Sequence, residues 1–264
     1  MSRTQVGWVV ARSAPGLLRP VLKAVVVHAG VCGFAVAVAA CPPLSQSSQW
    51  IMGKRRDGRI PLLSLALWWP YHVGLQIKLH AQRLLRPENV ADEVESGWWV
   101  SAWPRGPADL PQSGSTGVAV PDVTCELPRA HSVGPYLCLP TWDTNAVAVT
   151  DIERGVDWAL AQRAMGRAVV VHCAHGHGRS ATVMAACLLA RGLCLNARDA
   201  EKYMQRSRPR VRLSRRQRAS LEDWVAWRLR VRLAGCEGWG VRVRLKEGVV
   251  SLAMGSVAAA SRGG

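Results

Sequence analysis

The hydrophobic pattern changes character along the chain. Residues 24–41 are continuous and uncharged, mostly Val, Ala and Gly, barely long enough to cross a bilayer and only moderately apolar. A second apolar run, residues 60–77, carries Trp68, Trp69 and Tyr71, side chains suited to a membrane interface. From Pro87 the pattern becomes mixed and globular. β-rich stretches at 93–103 and 117–127 precede a short strand at 133–139, and Trp98, Trp99 and Val100 open the first strand of the globular part. Residues 106–117, rich in Pro, Gly and Ser, read as a loop. Residues 145–165 have helical spacing, with Ile152, Val156 and Leu160 in one stripe, and residues 168–171 read as a buried strand. A helix over 181–191 stops at Gly192. Asn196 caps the next one, and Ser214 caps a last helix with Leu221, Trp224 and Val225 on its apolar face. The alternation predicts an α/β fold, a central and mainly parallel sheet flanked by helices, with an apolar N-terminal extension. Sheets of this kind bind ligands at the carboxyl ends of their strands.

Length and composition divide the chain into an extension over 1–86, a domain over 87–232 and a tail over 233–264. The tail is rich in Gly and Ala; its residues 241–245 alternate like an edge strand, and a disordered tail suits the composition equally. Three arrangements of the extension stay open. It is a membrane hairpin with both ends on one face, an organelle targeting segment (the first acidic residue is Asp57, after a series of basic ones), or a pair of apolar helices packed on the domain. The net charge of +16 suits a membrane surface or a phosphorylated substrate. Without zinc-finger spacing or an aromatic-interleaved RNA motif, nucleic acid is not an expected partner. Eight cysteines without a pairing pattern fit a reducing compartment, the cytosol or an organelle, with the chain associated with a membrane.

The chemistry concentrates at the buried strand over 168–171. It runs through His172 into Cys173-Ala174-His175-Gly176-His177-Gly178-Arg179-Ser180, and a helix follows at once. A thiol is mostly protonated at neutral pH, and a helix N-terminus with inward-pointing N–H groups stabilises its thiolate. The same N–H groups, from Ala174 through His175, Gly176, His177 and Gly178 to Arg179, can hold phosphate oxygens. Gly176 and Gly178 let the backbone curl around an anion. Arg179 offers a planar fork for two phosphate oxygens. Ser180 could donate to the Cys173 sulfur and ease its departure, and His172 could fix the cysteine through the loop backbone. The arrangement suits capture and cleavage of a phosphate monoester through a cysteinyl-phosphate. Cys236 and Arg242 share the Cys-to-Arg spacing, but they lack the strand before, the serine after and the helix that follows.

His172-Cys173-x-x-Gly176-x-x-Arg179-Ser180 resembles the signature of the cysteine-dependent protein tyrosine phosphatases, and the short form of the loop is more like the dual-specificity branch. The resemblance covers residues 88–230. It implies two steps through a thiophosphate, with an aspartic acid protonating the leaving oxygen. Asp143, in a polar loop after the apolar run 137–139 and thirty residues before Cys173, fits that place; Asp151 and Asp157 are rivals on the helix that follows. His172, Cys173, His175 and His177 also form a compact set of potential metal ligands. A metal on Cys173 would occupy the nucleophile, so the expectation is a phosphatase that needs no metal and no cofactor, with the histidines lending charge at the mouth of the cup as pH falls. The expected partner is a phosphorylated protein or a phospholipid. The alternative is a catalytically silent, membrane-anchored phosphate-binding module of the same fold.

Overall fold

The computed structural model describes residues 3–112, 117–132, 134–234, 241–246 and 249–254. A long helix α1 (Arg3–Ala40) leads, through turns of 3-10 helix, to α2 (Leu62–Leu67) and α3 (Trp69–Leu85). The strands β1 (Ala91–Glu95), β2 (Trp98–Ser101), β3 (Val118–Asp122) and β4 (Tyr136–Cys138) follow. Then come α4 (Val149–Ala164), β5 (Ala168–His172), α5 (Arg179–Ala190), α6 (Ala197–Gln205) and α7 (Arg215–Ala234). A separate antiparallel pair, β6 (Val241–Lys246) with β7 (Val249–Met254), takes in the alternating residues 241–245. The start of the strand expected at 133–139 falls on Val133, and Cys236 falls in the tail; both lie outside the described residues.

The five-stranded sheet has the order β1-β2-β5-β3-β4, and only β1 runs antiparallel to its neighbour. The α/β fold with a mainly parallel sheet is therefore the one the pattern predicts. Register places Ser101, His172 and Asp122 level with one another at the carboxyl edge. Side chains alternate across β5. Val169 and Val171 join the main core under the helices, and Val170 joins a smaller cluster with Val118 and Val120 on the other face. Burying such a side chain contributes about 1.5–3 kcal/mol, which fixes the register of the strand that carries the loop.

Helix α5 packs on β5 and β2 and touches α4, α6 and α7, so it is the hub of the helical layer. Alanines at 181, 185 and 186 let it approach closely, and its residues from Arg179 to Leu188 are all buried. Gly192 ends it with φ 73°, while Leu193 N–H donates to the Leu188 carbonyl at 3.0 Å, a left-handed stop that glycine adopts without strain. The capping expectations hold. Asn196 Oδ1 accepts from the amides of Arg198 and Asp199, and Ser214 and Gln217 cap α7 reciprocally, each side chain accepting from the other's amide.

The N-terminal region divides differently from its hydrophobic pattern. Within α1, Arg19–Ala40 is long and apolar enough to cross a membrane, the single such helix among the described residues. The second apolar run does not continue as one helix. It splits into α2 and α3, with Pro61 before the first and Pro70 at the start of the second, positions where proline begins a helix rather than extends one. Residues 41–86 are also joined to the sheet. The ammonium of Lys54, 1 % exposed, donates to Asp122 at 2.6 Å and to the Thr124 carbonyl at 2.8 Å. The Gly58 carbonyl accepts from Arg129 N–H, and a Cβ on Gly58 would strike the Tyr136 ring.

Candidate active site

The loop from Cys173 to Gly178 is shaped from outside. Arg208, 1 % exposed, donates through Nε to the Gly176 carbonyl at 3.0 Å and through Nη2 to the His175 carbonyl at 2.9 Å. Trp103 N–H donates to the Ala174 carbonyl and Arg212 N–H to the His177 carbonyl. A trans peptide points its N–H opposite its C=O, so four outward carbonyls turn the N–H groups of 175, 176, 177 and 178 inward. Gly176 shows the result, its amide 3.2 Å from Cys173 Sγ. Its φ is 75°, and a Cβ there would sit 2.7 Å from the Ser101 backbone, so this turn requires glycine. At Gly178 a Cβ would instead meet the Gln217 side chain at 2.8 Å.

Cys173 is buried, unpaired and placed just before α5. Ser180 Oγ donates to its sulfur at 3.3 Å. Burial pushes the thiol pKa up. The Arg179 guanidinium, the Ser180 hydroxyl and amide and the His175 amide outweigh it and leave the thiol below its ordinary value. Arg179 is itself 1 % exposed. Its Nη1 and Nη2 grip Glu126 at 3.0 and 2.8 Å, Nη1 also meets the Thr141 carbonyl at 2.6 Å, and Nη2 meets Asp143 at 3.1 Å. Its Nε is buried and has no hydrogen-bond partner among the described residues. Such a donor is costly to leave unmatched, and an anion in the cup would satisfy it.

Asp143 stands at the rim, 39 % exposed, with its carboxylate between Arg179 and Lys78 of α3, whose Nζ is 3.9 Å away. Burial opposes its charge, but Arg179, Lys78, His175 and the Thr144 amide hold its carboxyl below the usual range. The loop that bears it is clamped. Trp142 Nε1 donates to Ser48 Oγ at 3.0 Å and Asn145 Nδ2 to the Ala40 carbonyl at 2.9 Å, while Thr144 sits at φ 64°, a left-handed position unusual for a β-branched residue. Asp151 and Asp157 lie elsewhere, facing Arg154 and Arg228.

The structure thus brings together Cys173, Arg179, Asp143 and Ser180, and it parts His172 from His175 and His177. His172 Nε2 faces Asp122 beneath the sheet edge at 3.5 Å, and His177 Nε2 turns to Glu88 at 2.8 Å. His175 and His177 stack with ring centroids 6.2 Å apart. Burial lowers the pKa of both, so their charge appears only at lower pH than a free imidazole's. The possible ligand set is not assembled, and among the described residues no group of three or more His, Cys, Asp or Glu could hold a metal ion.

Glu126, Arg208, Lys54 and Lys78 were not singled out by sequence. Glu126 had one signal, an acid that shares the apolar β-rich stretch 117–127 with Asp122 alone.

Residues 119–226 match the family described as "Dual specificity phosphatase, catalytic domain". Over these residues the chain carries a domain of this branch of the cysteine-dependent phosphatases. The match takes in β3 through most of α7, and with them Glu126, Asp143, Cys173 and Arg179; α1 to α3 precede it. No curated protein matches the chain. Among solved structures, the human tyrosine phosphatase-like serine/threonine/tyrosine-interacting protein is 19% identical, with 54% of this chain and 99% of that chain covered and a TM-score of 0.47. A mutant form of Tk-PTP is 27% identical over 54% of this chain and 97% of its own, with a TM-score of 0.44. PTPMT1 is 19% identical over 55% and 99%, with a TM-score of 0.41.

Proposed function

We propose that the protein hydrolyses phosphate monoesters through a cysteinyl-phosphate. The observation that carries this reading is the buried Cys173 thiol, lowered in pKa although burial alone would raise it, beside a buried guanidinium that keeps one donor unpaired. A phosphate enters the cup and takes the inward N–H groups and Arg179 Nε. It also takes Nη2, displacing Asp143. That exchange removes the cation that holds Asp143 ionised and puts negative charge next to it, so the carboxyl takes up a proton as substrate binds. The Cys173 thiolate attacks phosphorus and the ester P–O bond breaks, with the Asp143 proton going to the leaving oxygen. Water then attacks the thiophosphate. Asp143, now a carboxylate, accepts its proton, the S–P bond breaks, and Ser180 Oγ–H steadies the departing thiolate.

The silent module is disfavoured by the same set, since a phosphate reader needs neither a nucleophilic thiolate nor a carboxyl at the rim. We place the start of the working unit near Cys41 rather than Pro87, because Lys54, the clamp on the Asp143 loop and Lys78 all come from the earlier segment. We assign Arg19–Ala40 as a membrane anchor, supported by its length and by exposed Val26, Val27, Val31 and Phe34. Phosphoprotein and phospholipid monoesters both suit this chemistry.

The test is turnover of a small aryl phosphate by the full-length chain in detergent. Cys173→Ser should reduce it by about a thousandfold or more while phosphate binding persists. Unchanged turnover in that variant would refute the cysteinyl route.

A further inference from the structure

We propose that the chain carries a second anion subsite beside the cup, a cleft between α3 and the segment 208–212 that takes a second phosphate group of the substrate. The inference rests on the phosphatase reading for the position of the first phosphate. The cleft measures about 550 Å³ and borders the loop that forms the cup, since Ala174, His175 and His177 of that loop line it. Arg83 and Arg86 of α3 line one side, and Arg210 and Arg212 line the other.

These arginines differ from Arg208, which also reaches the cleft. All the nitrogens of Arg208 are occupied by loop carbonyls, the Asn89 carbonyl and Asp92. Arg210 gives only one nitrogen, to the Arg86 carbonyl at 3.2 Å, and Arg83 gives one to the Trp103 carbonyl. Among the described residues, no carboxylate within salt-bridge distance pairs with Arg83, Arg86 or Arg212. The one acid lining the cleft, Glu88, is engaged by His177 at 2.8 Å and lies 3.6 Å from Arg208 and 3.7 Å from Arg210. Four arginines thus line a concave space with one acid, already occupied. A concave wall focuses their field, and their planar forks match phosphate oxygens. A surface of solvated arginines would not enclose a cleft continuous with the catalytic loop.

The shared chemistry is a phosphomonoester with a second phosphate, mono- or diester, one loop-width away. Two sources supply it, a soluble bisphosphate or a lipid headgroup. Leu84 and Leu85, 70% and 80% exposed beside Arg86, put an apolar rim next to the cleft, so both sources belong in the test.

The first measurement is binding to the full-length Cys173→Ser protein in detergent, with an alkanediol monophosphate against the bisphosphate of the same diol. The bisphosphate should bind about tenfold tighter, and the added change Arg86→Ala/Arg210→Ala should abolish the difference while leaving the monophosphate unchanged. Equal affinities before that change, or equal losses on both ligands after it, would overturn the subsite. The second measurement is turnover by the chain with Cys173 intact. On p-nitrophenyl phosphate the double arginine variant should match the parent. On phosphatidylcholine vesicles bearing phosphatidylinositol monophosphate, but not on those bearing phosphatidic acid, its KM should rise if the source is a lipid headgroup. A KM rise confined to the diol bisphosphate would assign the soluble source. A preference in binding without turnover of any ester would sink the phosphatase reading and leave the subsite standing.

Discussion

Cys173 and Cys187 both lie in the dry interior around α5, and their surroundings drive the two thiols in opposite directions. Cys187 faces the helical layer inside the core, and burial, with the Asp157 charge adding to it, pushes its pKa up to about 12 against the pull of Arg228 and Arg191. Cys173, at the start of the loop that leads into the helix, suffers the same burial, yet its pKa falls. The difference is directional. At the Cys187 position the helix has already used its N–H groups on its own carbonyls. At the N-terminal end the N–H groups are unmatched, the loop adds more of them, and Arg179 is held close by. Burial in this fold stabilises a thiol; a thiolate needs the particular ring of donors that the loop provides.

The comparison can be broken most severely by chemistry that reads thiolate directly. Ultraviolet titration of the folded protein should show a thiolate step below the ordinary thiol range. Cys187→Ala should keep the step and Cys173→Ser should lose it. At pH 6, iodoacetamide should modify Cys173 on the order of a hundredfold faster than any other buried cysteine, because the thiolate is the nucleophile. A step that survives Cys173→Ser would show that the loop does not lower this thiol.

A smaller effect sharpens the cause. Arg179 is aimed by Glu126, whose two oxygens hold both terminal nitrogens. In Glu126→Gln the amide turns a donor toward a donor and removes the compensating charge from a buried guanidinium, so the fork loses its fixed pose. We expect kcat/KM on an aryl phosphate to fall by about 10- to 100-fold and the Cys173 titration step to move up toward the ordinary value. Lost activity with an unmoved step would mean that Glu126 serves folding and not the aim of Arg179.

These residues also mark how far the chain could be read before folding. The strand, loop and helix around Cys173 are contiguous, so pattern and chemistry coincide in one stretch and the reading was direct. Asp143 was reachable through its spacing and the apolar strand before it. The caps at Asn196 and Ser214 were legible because capping is local. Glu126, Arg208 and Lys54 act on partners 53, 32 and 68 residues away, respectively Arg179, Gly176 and Asp122, and nothing local in a glutamate, an arginine or a lysine announces such a partner. The run 60–77 left three arrangements open for the opposite reason. Continuous apolarity looks alike whether it faces lipid or a core, and here Trp68 packs with Cys125 and Trp142 while Leu62 and Leu63 stay exposed. The division at Pro87 follows composition, a property with no bearing on the cluster that Leu79 of α3 shares with Ala174 in the loop after β5.

The smallest expected effect belongs to that same helix. Lys78 lies 3.9 Å from Asp143 and is half exposed, so solvent screens it and its influence is modest. Its charge favours the ionised carboxylate, which is the form unable to donate a proton. Removing it in Lys78→Met therefore raises the Asp143 pKa, keeps the acid protonated to higher pH, and moves the alkaline limb of kcat upward, by about half a pH unit. The acidic limb, set by the thiol and the substrate, should stay in place. The shift should be visible with an alkyl phosphate, whose leaving oxygen needs the proton, and weak with p-nitrophenyl phosphate, whose does not. A limb that moves down, or moves equally for both esters, would show that Lys78 does not act through Asp143. The N-terminal segment would then hold the catalytic unit together without tuning its acid.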